Sequence, residues 1–231
     1  PDIYGKLRPV AANVNLIAIV FSPKPTAFSN LLDRYLVAAE THDIKPLLVL
    51  NKIDMLREDD YNDIEQLIAD YTFIGYDIIQ VSSKTGEGIE ALQDYLAGQT
   101  AIFVGQSGVG KSSLINLLQP QANMPVGPLS LGKEKGTHTT TISKLFHLAG
   151  GGVLIDSPGI REFALTHLSK EKVIDGFIDF RPYLGYCKFR DCNHDKEVGC
   201  SLLAAVADKR VLAIRLHNYR QILLSQETTR F

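Results

Sequence analysis

The chain has 231 residues, of which 45% are hydrophobic, and its formal net charge is −2. This composition is typical of a soluble globular protein with a substantial core, and it excludes the global basic field that drives non-specific nucleic-acid binding. The longest apolar runs, 15–21 and 46–50, are strand-sized, far below the roughly 20 residues of a membrane helix. Because no signal peptide is recognisable either, we expect a cytoplasmic protein that does not contact the membrane.

Strand-like and helix-like segments alternate from residue 14 to residue 165. This alternation predicts an α/β fold with a mostly parallel sheet. In chain order, the predicted strands are 15–21, 46–50, 77–81, 101–104, 141–148 and 152–155. Apolar residues at helical spacing predict helices between them at 28–42, 59–73, 88–98 and 111–120. After residue 166 a helical piece, a Cys/His cluster and two more helices follow.

Three parts are predicted from this organisation. Residues 1–13 are interpreted as a linker from a preceding segment, because the chain opens at PDIYGKL without an initiator Met. Residues 14–165 form the nucleotide-binding domain, and residues 166–231 form a smaller helical domain. Within the larger domain, residues 119–141 are polar and lack periodicity, which is typical of a functional loop.

A phosphate-binding motif stands between the predicted strand 101–104 and the helix after it. The residues fit G-x-x-x-x-G-K-[ST], a loop whose backbone N–H groups and following helix N-terminus bind phosphates. A chance Gly-rich turn is the alternative, and the strand before and helix after argue against it. We expect Lys111 to bridge the β- and γ-phosphates and Ser112 to ligate Mg²⁺. The predicted nucleotide-binding residues here are Gly105, Gln106, Ser107, Gly108, Val109, Gly110, Lys111, Ser112 and Ser113.

A base-reading motif, Asn-Lys-Ile-Asp, directly follows the predicted strand 46–50. The Asp54 carboxylate can accept the N1 and N2 protons of guanine, and adenine offers neither in that arrangement. The Lys52 stem can pack on the base, and Asn51 can tie loops together. Taken alone, the motif is also compatible with a charged turn between a strand and a helix.

Two further loops complete a GTPase set. Ser82, Ser83 and Lys84 follow the strand 77–81, and a backbone N–H there, at Ser83, is predicted to meet guanine O6. Asp156 and Gly159 form an Asp-x-x-Gly motif after the last strand, with Asp156 reaching Mg²⁺ through water and the Gly159 N–H facing the γ-phosphate. Each loop alone resembles an ordinary turn, but four such motifs in one α/β domain make coincidence negligible.

The order of the motifs is unusual. The base motif and the Ser-Ser-Lys loop precede the phosphate loop, and the Thr-rich segment and Asp-x-x-Gly follow it. This is the usual GTPase series cut after Asp-x-x-Gly, with the original ends joined through the helix 88–98. Because α/β sheets bind nucleotides at the carboxyl ends of their strands, the site survives this circular permutation. The Asp-x-x-Gly segment then leads directly into the C-terminal domain.

The three cysteines of the chain cluster near one histidine. Three thiolates and one imidazole are the ligand set of a closed structural Zn²⁺ site, so Cys187, Cys192, His194 and Cys200 predict one zinc ion per chain. Free thiols beside a surface His are the alternative. Basic and aromatic residues around the cluster are compatible with an RNA or protein surface and equally with a solvated helix face; they are Arg181, Lys188, Arg190, Arg210, Arg215, Arg220, Tyr183, Tyr186, Phe189 and Tyr219.

The permuted order, together with GQSGVGKSS, KGTHTTT, IDSPGIREF and FRPYLGYCKFRDCNHDKEVGC, resembles the RsgA/YjeQ family of ribosome-small-subunit-dependent GTPases. The resemblance covers nearly the whole chain. It implies a circularly permuted P-loop GTPase domain, a zinc-bearing C-terminal domain with the same four ligands, and an N-terminal OB-fold missing from this chain. It also implies a role in late maturation of the bacterial 30S subunit, with GTP hydrolysis that is slow until the subunit stimulates it. Thr137 stands where the family pattern has a basic residue.

The expected partners are therefore GTP or GDP with Mg²⁺, the 30S subunit and 16S rRNA, bound by a monomer. The leading hypothesis is a GTPase. An alternative is a GTP-gated ribosome- or RNA-binding module in which hydrolysis only times release. A P-loop kinase or ATPase is a third, disfavoured by the base motif at 51–54.

Hydrolysis needs a group that orients water. Many GTPases place a Gln directly after the Asp-x-x-Gly glycine, but here Ile160 occupies that position. His138 in the Thr-rich segment is the nearest polar candidate, because an imidazole can hydrogen-bond water and transfer a proton. A loop His that merely packs or contacts rRNA is the competing interpretation. His138, Lys111 and Thr140 are thus the predicted catalytic residues, with Thr140 also a Mg²⁺ ligand.

Overall fold

The computed structural model describes residues 12–26, 28–124, 144–156 and 165–228, without the side chains of 58–60, 227 and 228. The strands are Leu16–Phe21 (β1), Lys45–Leu50 (β2), Ile78–Gln80 (β3), Thr100–Val104 (β4), Lys144–His147 (β5) and Val153–Asp156 (β6). The helices are Ser29–Glu40 (α1), Glu58–Ile74 (α2), Ile89–Leu96 (α3), Lys111–Leu118 (α4), Lys170–Asp175 (α5), Ser201–Ala207 (α6) and Ala213–Thr228 (α7). Each observed strand and helix overlaps a predicted one, and the predicted residues 141–143 lie outside the described ranges.

The six strands form one sheet in the order β3-β2-β1-β4-β6-β5. All neighbouring pairs are parallel except β5 with β6. Every residue of β1 is buried, as expected for a strand in a parallel sheet covered on both faces. The parallel α/β sheet predicted from the alternating pattern is therefore confirmed, and β5 is its antiparallel edge.

Hydrophobic packing positions the loop after β4. Phe103 on β4 packs in one cluster with Leu92 of α3 and with Leu114 and Ile115 of α4, all fully buried. Such burial contributes roughly 1.5 to 3 kcal/mol for each large side chain. The start of α4 is therefore held against the sheet, directly after the loop that carries the phosphate motif.

The chain divides into two compact units. The first contains the sheet with α2, α3 and α4. The second contains residues 28–43 and the described residues from 165 onward, so α1 belongs to it although it lies between β1 and β2 in the chain. Within the described ranges, no helix is both long enough and apolar enough to cross a bilayer.

A buried ionic cluster explains why α1 belongs to the second unit. Arg215 on α7 is only 1% exposed and donates to Asp33 of α1 and, at 2.8 Å, to Asp179. Asn218 donates to the second oxygen of Asp33 at 2.7 Å, and the Arg215 guanidinium lies 4.5 Å from the ring centroid of Phe177. Arg215, which the sequence suggested for an RNA-binding or solvated face, is on neither, because its two carboxylate partners compensate its charge inside the unit.

Candidate functional site

The predicted nucleotide motifs lie at one edge of the sheet. The base motif follows β2, the Ser-Ser-Lys loop follows β3, the phosphate loop follows β4, and Asp156 is the last residue of β6. These strands run parallel, in the spatial order β3-β2-β1-β4-β6. Because the carboxyl ends of parallel strands share an edge, the tertiary structure brings together motifs that lie up to about a hundred residues apart.

The phosphate loop has the backbone conformation that its glycines permit. Gly105, Gly108 and Gly110 have φ of 138°, 82° and 96°, values that residues with a Cβ rarely adopt. A Cβ on Gly105 would also lie 2.1 Å from the Val20 carbonyl oxygen. Lys111 begins α4, and its Nζ donates to the carbonyl oxygens of Gly105 at 2.8 Å and Gln106 at 2.7 Å. The ammonium group therefore lies over the loop that is predicted to hold the phosphates.

Asn51 connects three of the motifs. Its side chain is fully buried, and its Nδ2 donates to the Val109 carbonyl oxygen at 2.9 Å. Its Oδ1 accepts from the Ser83 backbone N–H at 3.0 Å. The sequence assigns that N–H to guanine O6, so contact with the base requires this donor to be shared between two acceptors.

Lys52 joins the base motif to the phosphate loop a second time. Its Nζ donates to the Gly108 carbonyl oxygen at 2.5 Å. The residue has a left-handed backbone with φ of 65°, and burial lowers the pKa of its ammonium group. Such left-handed conformations persist where surrounding contacts impose them, and here the bond to Gly108 is such a contact.

Asp54 lies beside the Ser-Ser-Lys loop. Ser82 Oγ donates to Asp54 Oδ1 at 2.6 Å, and Ser82 Oγ accepts from the backbone N–H groups of Lys84 at 3.2 Å and Thr85 at 3.1 Å. Lys84 Nζ lies 3.8 Å from Asp54 Oδ2. The loop thus fixes the position of the carboxylate that the sequence assigns to guanine.

Asp156 is placed next to the phosphate loop by strand pairing. It pairs with Phe103 in the β4–β6 register, and Phe103 precedes Gly105 of the phosphate loop by two residues. The residue is 7% exposed. Burial raises the pKa of its carboxyl group, while the charges of Lys111 and Lys144 act in the opposite direction. A carboxylate in this position is suited to a cation that would repay its desolvation.

The predicted zinc ligands are brought together in the second unit. The ligand atoms of Cys187, Cys192, His194 and Cys200 all lie within 4.8 Å of one another. Cys187 Sγ is 3.8 Å from Cys200 Sγ, and His194 Nδ1 is 3.6 Å and 3.3 Å from the same two sulfurs. Tetrahedral Zn²⁺ with its usual bond lengths gives ligand separations of roughly 3.8 Å between sulfurs and 3.5 Å between sulfur and nitrogen. The donor set and its spacing therefore fit zinc.

Local contacts prepare two of these ligands. Burial lowers the pKa of His194, which favours the neutral imidazole that binds metals. Cys200 directly precedes α6, and its sulfur accepts from the Leu203 N–H at 3.4 Å, a contact that fixes the position of the sulfur at the start of the helix.

A protein-family model described as RsgA GTPase matches residues 2–166, more than half of the chain. The chain belongs to the RsgA GTPase family. The proteins called small ribosomal subunit biogenesis GTPase RsgA are similar to it over nearly its whole length. The one from Pseudomonas fluorescens SBW25 is 54% identical over 97% of this chain, and the one from Pseudomonas aeruginosa PAO1 is 53% identical over 99%. The chain spans 66% and 68% of the lengths of these two relatives.

Two solved structures share the fold. YjeQ from Thermotoga maritima is 32% identical, with a TM-score of 0.77 over 93% of this chain and 72% of that one. YloQ, described as a circularly permuted GTPase, is also 32% identical, with a TM-score of 0.76 over 94% of this chain and 69% of that one. The circular permutation inferred from the motif order is therefore confirmed.

Some predicted residues lie outside the described ranges. These are His138 and Thr140 in the Thr-rich segment and Gly159 in the Asp-x-x-Gly motif. Ser112 and Ser113 lie in the first turn of α4, the helix that follows the phosphate loop.

Sequence reasoning missed the segment after β1. The Lys24 carbonyl oxygen accepts from Lys52 Nζ at 3.0 Å, and it also accepts from Ser22 Oγ at 2.9 Å. Ser22 is fully buried. The sequence did indicate this segment, because FSPKPT (21–26) comes at the end of a buried parallel strand, at the edge of the sheet where the other motifs lie.

Proposed function

We propose that this chain is a Mg²⁺-dependent GTPase that acts in late maturation of the bacterial 30S ribosomal subunit, slow by itself and stimulated by the subunit. The observation that carries the guanine-nucleotide assignment is the pair of Asn51 hydrogen bonds, to Val109 and from Ser83, which joins the phosphate loop to both base-reading loops. The ribosomal assignment is supported by the names of the relatives, which are small ribosomal subunit biogenesis GTPases.

In this proposal the phosphates bind the backbone N–H groups of residues 105–113. Lys111 Nζ exchanges the carbonyl oxygens of Gly105 and Gln106 for β- and γ-phosphate oxygens, a short movement because those carbonyls belong to the same loop. Mg²⁺ would be held by Ser112 and Thr140, with Asp156 acting through water, and it would supply charge neutralisation at the β- and γ-phosphates. The Gly159 N–H would face the γ-phosphate.

Guanine would be read by Asp54, held in place by Ser82, with the Lys52 stem against the base. Asp54→Asn tests this role, since the amide replaces a charged acceptor with a group that presents one acceptor and two donors. GTP affinity should fall by a few kcal/mol, and preference should shift toward xanthosine nucleotides. The matched control is Asp63→Asn, on an exposed position of α2. Unchanged GTP affinity in Asp54→Asn, or strong competition by ATP in the wild type, contradicts the assignment.

For hydrolysis we propose that His138 orients the attacking water once the 30S subunit is bound, because Ile160 cannot. His138→Ala should leave GTP affinity within a few-fold and remove about 10²-fold or more of the stimulated rate. If the 30S subunit still fully stimulates GTP hydrolysis by the His138→Ala variant, a ribosomal group, and not His138, orients the water.

The absence of a side-chain hydrogen-bonding group at Ile160 also favours a second function: a GTP-gated module that binds the ribosome or RNA and uses hydrolysis only to time release. Single-turnover GTPase rates with and without isolated 30S subunits, combined with co-sedimentation in GTP and GDP, separate the two. A rate unchanged by 30S subunits, with GTP-dependent co-sedimentation, supports the module.

The Cys₃His cluster is proposed to hold one structural Zn²⁺ per chain, because four protein ligands leave no open position for a reacting water. A monomer that works in the cytoplasm and contacts 16S rRNA is part of the same proposal. Elemental analysis for the metal, and sedimentation of the free protein and of its complex with 30S subunits, are the corresponding tests.

A further inference from the structure

One carboxylate organises the segment between the last three metal ligands, residues 192–200. Glu197 Oε1 accepts from the Asn193 N–H at 2.7 Å. Its Oε2 accepts from the N–H groups of Asp195 at 2.8 Å and Lys196 at 3.0 Å. Three backbone donors thus surround a single side chain that follows His194 by three positions. These donors lower the pKa of Glu197 to about 2, so the carboxylate stays ionised at neutral pH.

An arginine from α7 holds the opposite side of the same segment. Arg220 Nη2 donates to the carbonyl oxygens of His194 at 2.6 Å and Asp195 at 2.9 Å, and it lies 3.5 Å from Asp195 Oδ1. Glu197 therefore binds N–H groups of this segment and Arg220 binds its C=O groups. Together they bind both polar groups of the peptide unit that joins His194 to Asp195, the C=O through Arg220 and the N–H through Glu197.

His194 needs such support because its backbone is left-handed, with φ of 57°. This conformation destabilises a non-glycine residue by about 1 kcal/mol or more, so it persists only when the surrounding structure imposes it. The conformation accompanies a buried ring whose Nδ1 lies 3.6 Å and 3.3 Å from two cysteine sulfurs. A segment released from Glu197 and Arg220 would lose the contacts that hold this backbone.

We propose that Glu197 and Arg220 are positioning residues of the metal site, which preorganise His194 as the fourth ligand; the inference rests on the proposed metal site. Neither side chain is a ligand. Outer contacts of this kind commonly change metal affinity by 10- to 100-fold, because they set the orientation of the ligand before the metal arrives. The three thiolates would bind metal without them, and the imidazole would then have to be ordered at the expense of binding free energy.

The test uses the whole chain with Glu197→Gln, which keeps the shape but sets an NH₂ group against backbone donors. Glu171→Gln is the matched control, an exposed glutamate in the first turn of α5 in the same unit. Arg220→Met is compared with Arg210→Met, whose guanidinium lies on the Tyr183 ring and pairs with Asp208. Zinc affinity is measured by competition with a chromophoric chelator, and the ligand set by the absorption spectrum of the Co²⁺-substituted protein.

Glu197→Gln and Arg220→Met should bind zinc 10- to 100-fold more weakly. At saturating Co²⁺ they should keep the thiolate charge-transfer band but show altered d–d bands, because the imidazole position changes while the sulfurs remain. A residue that only stabilised the fold would leave the spectrum of the saturated protein unchanged.

Three results overturn the inference: wild-type affinity and spectrum in both variants, an equal loss in the controls, or variants that stay unfolded by circular dichroism in saturating zinc. If the wild type binds neither metal, the proposed metal site itself fails. If instead the wild type binds zinc and the Glu197→Gln variant binds it equally well, the metal site stands and only the role of Glu197 fails.

Discussion

Gly110→Ala should separate the phosphate loop from the base-reading loops. Gly110 has a φ of 96°, and a Cβ on it would lie 2.2 Å from Asn51 Nδ2. Asn51 is fully buried and bonded at both ends of its amide, so it cannot move aside without losing its bonds to Val109 and from Ser83. The substitution therefore acts on the contact that joins the nucleotide motifs.

The expected magnitude has two contributions. The left-handed backbone costs an alanine about 1 kcal/mol relative to glycine. The two hydrogen bonds of Asn51 contribute about 1 to 1.5 kcal/mol each, because the Val109 carbonyl is left buried and the Ser83 N–H partly buried. The total of about 3 to 4 kcal/mol corresponds to a loss of roughly 10²- to 10³-fold in affinity if the bound state requires the wild-type loop geometry.

The assay is the dissociation constant of a fluorescent GDP analogue, with urea unfolding measured in parallel. Gly150→Ala is the matched control, since its Cβ would meet only Ala97, at 3.4 Å from Cβ and 3.7 Å from Cα. The affinity of this variant should stay within about threefold of the wild type. A Gly110→Ala protein that is folded and binds GDP within about threefold of the wild type refutes the reasoning, because it would show that Asn51 moves without consequence.

Three further substitutions test other parts of the structure. Asp33→Asn leaves buried Arg215 with one carboxylate and should lower the free energy of unfolding, measured in urea, by about 3 kcal/mol. Asp175→Asn, which removes an exposed ion pair with Arg181 at 3.8 Å, should lower it by less than about 1 kcal/mol. Equal effects of the two substitutions contradict the structure. Burial raises the pKa of Asp156, so ionising it costs folding free energy above its unfolded pKa. Asp156→Asn should therefore raise the urea midpoint of the nucleotide-free protein at neutral pH, but not below the ordinary aspartate range, while abolishing Mg²⁺-dependent hydrolysis. Cys192→Ser should lose one zinc per chain by elemental analysis and unfold the C-terminal domain, residues 166–231, with nucleotide binding largely kept. Wild-type protein without zinc refutes this prediction.

The sequence by itself determined the fold class and predicted where the nucleotide motifs would lie in it. Each motif follows a strand whose apolar run is visible locally, and parallel strands must end at a common edge, so the loops after Leu50, Gln80 and Val104 were predicted to meet there. The close spacing of the cysteines similarly predicted the metal ligands, because all four lie within one short segment.

The tertiary structure alone decided which polar groups meet outside the motifs. Arg215 meets Asp33 across 182 positions, and this pairing assigns α1 to the second unit although the chain order suggests the first. The Lys24 carbonyl oxygen accepts from Lys52, and the Glu197 carboxylate accepts from backbone N–H groups. Both contacts involve backbone groups, which every residue possesses. Local patterns record periodicity and side-chain type, but they do not record which backbone donor or buried charge a residue meets after the chain has folded. Those contacts depend on the packing of whole elements, and only the folded structure specifies them.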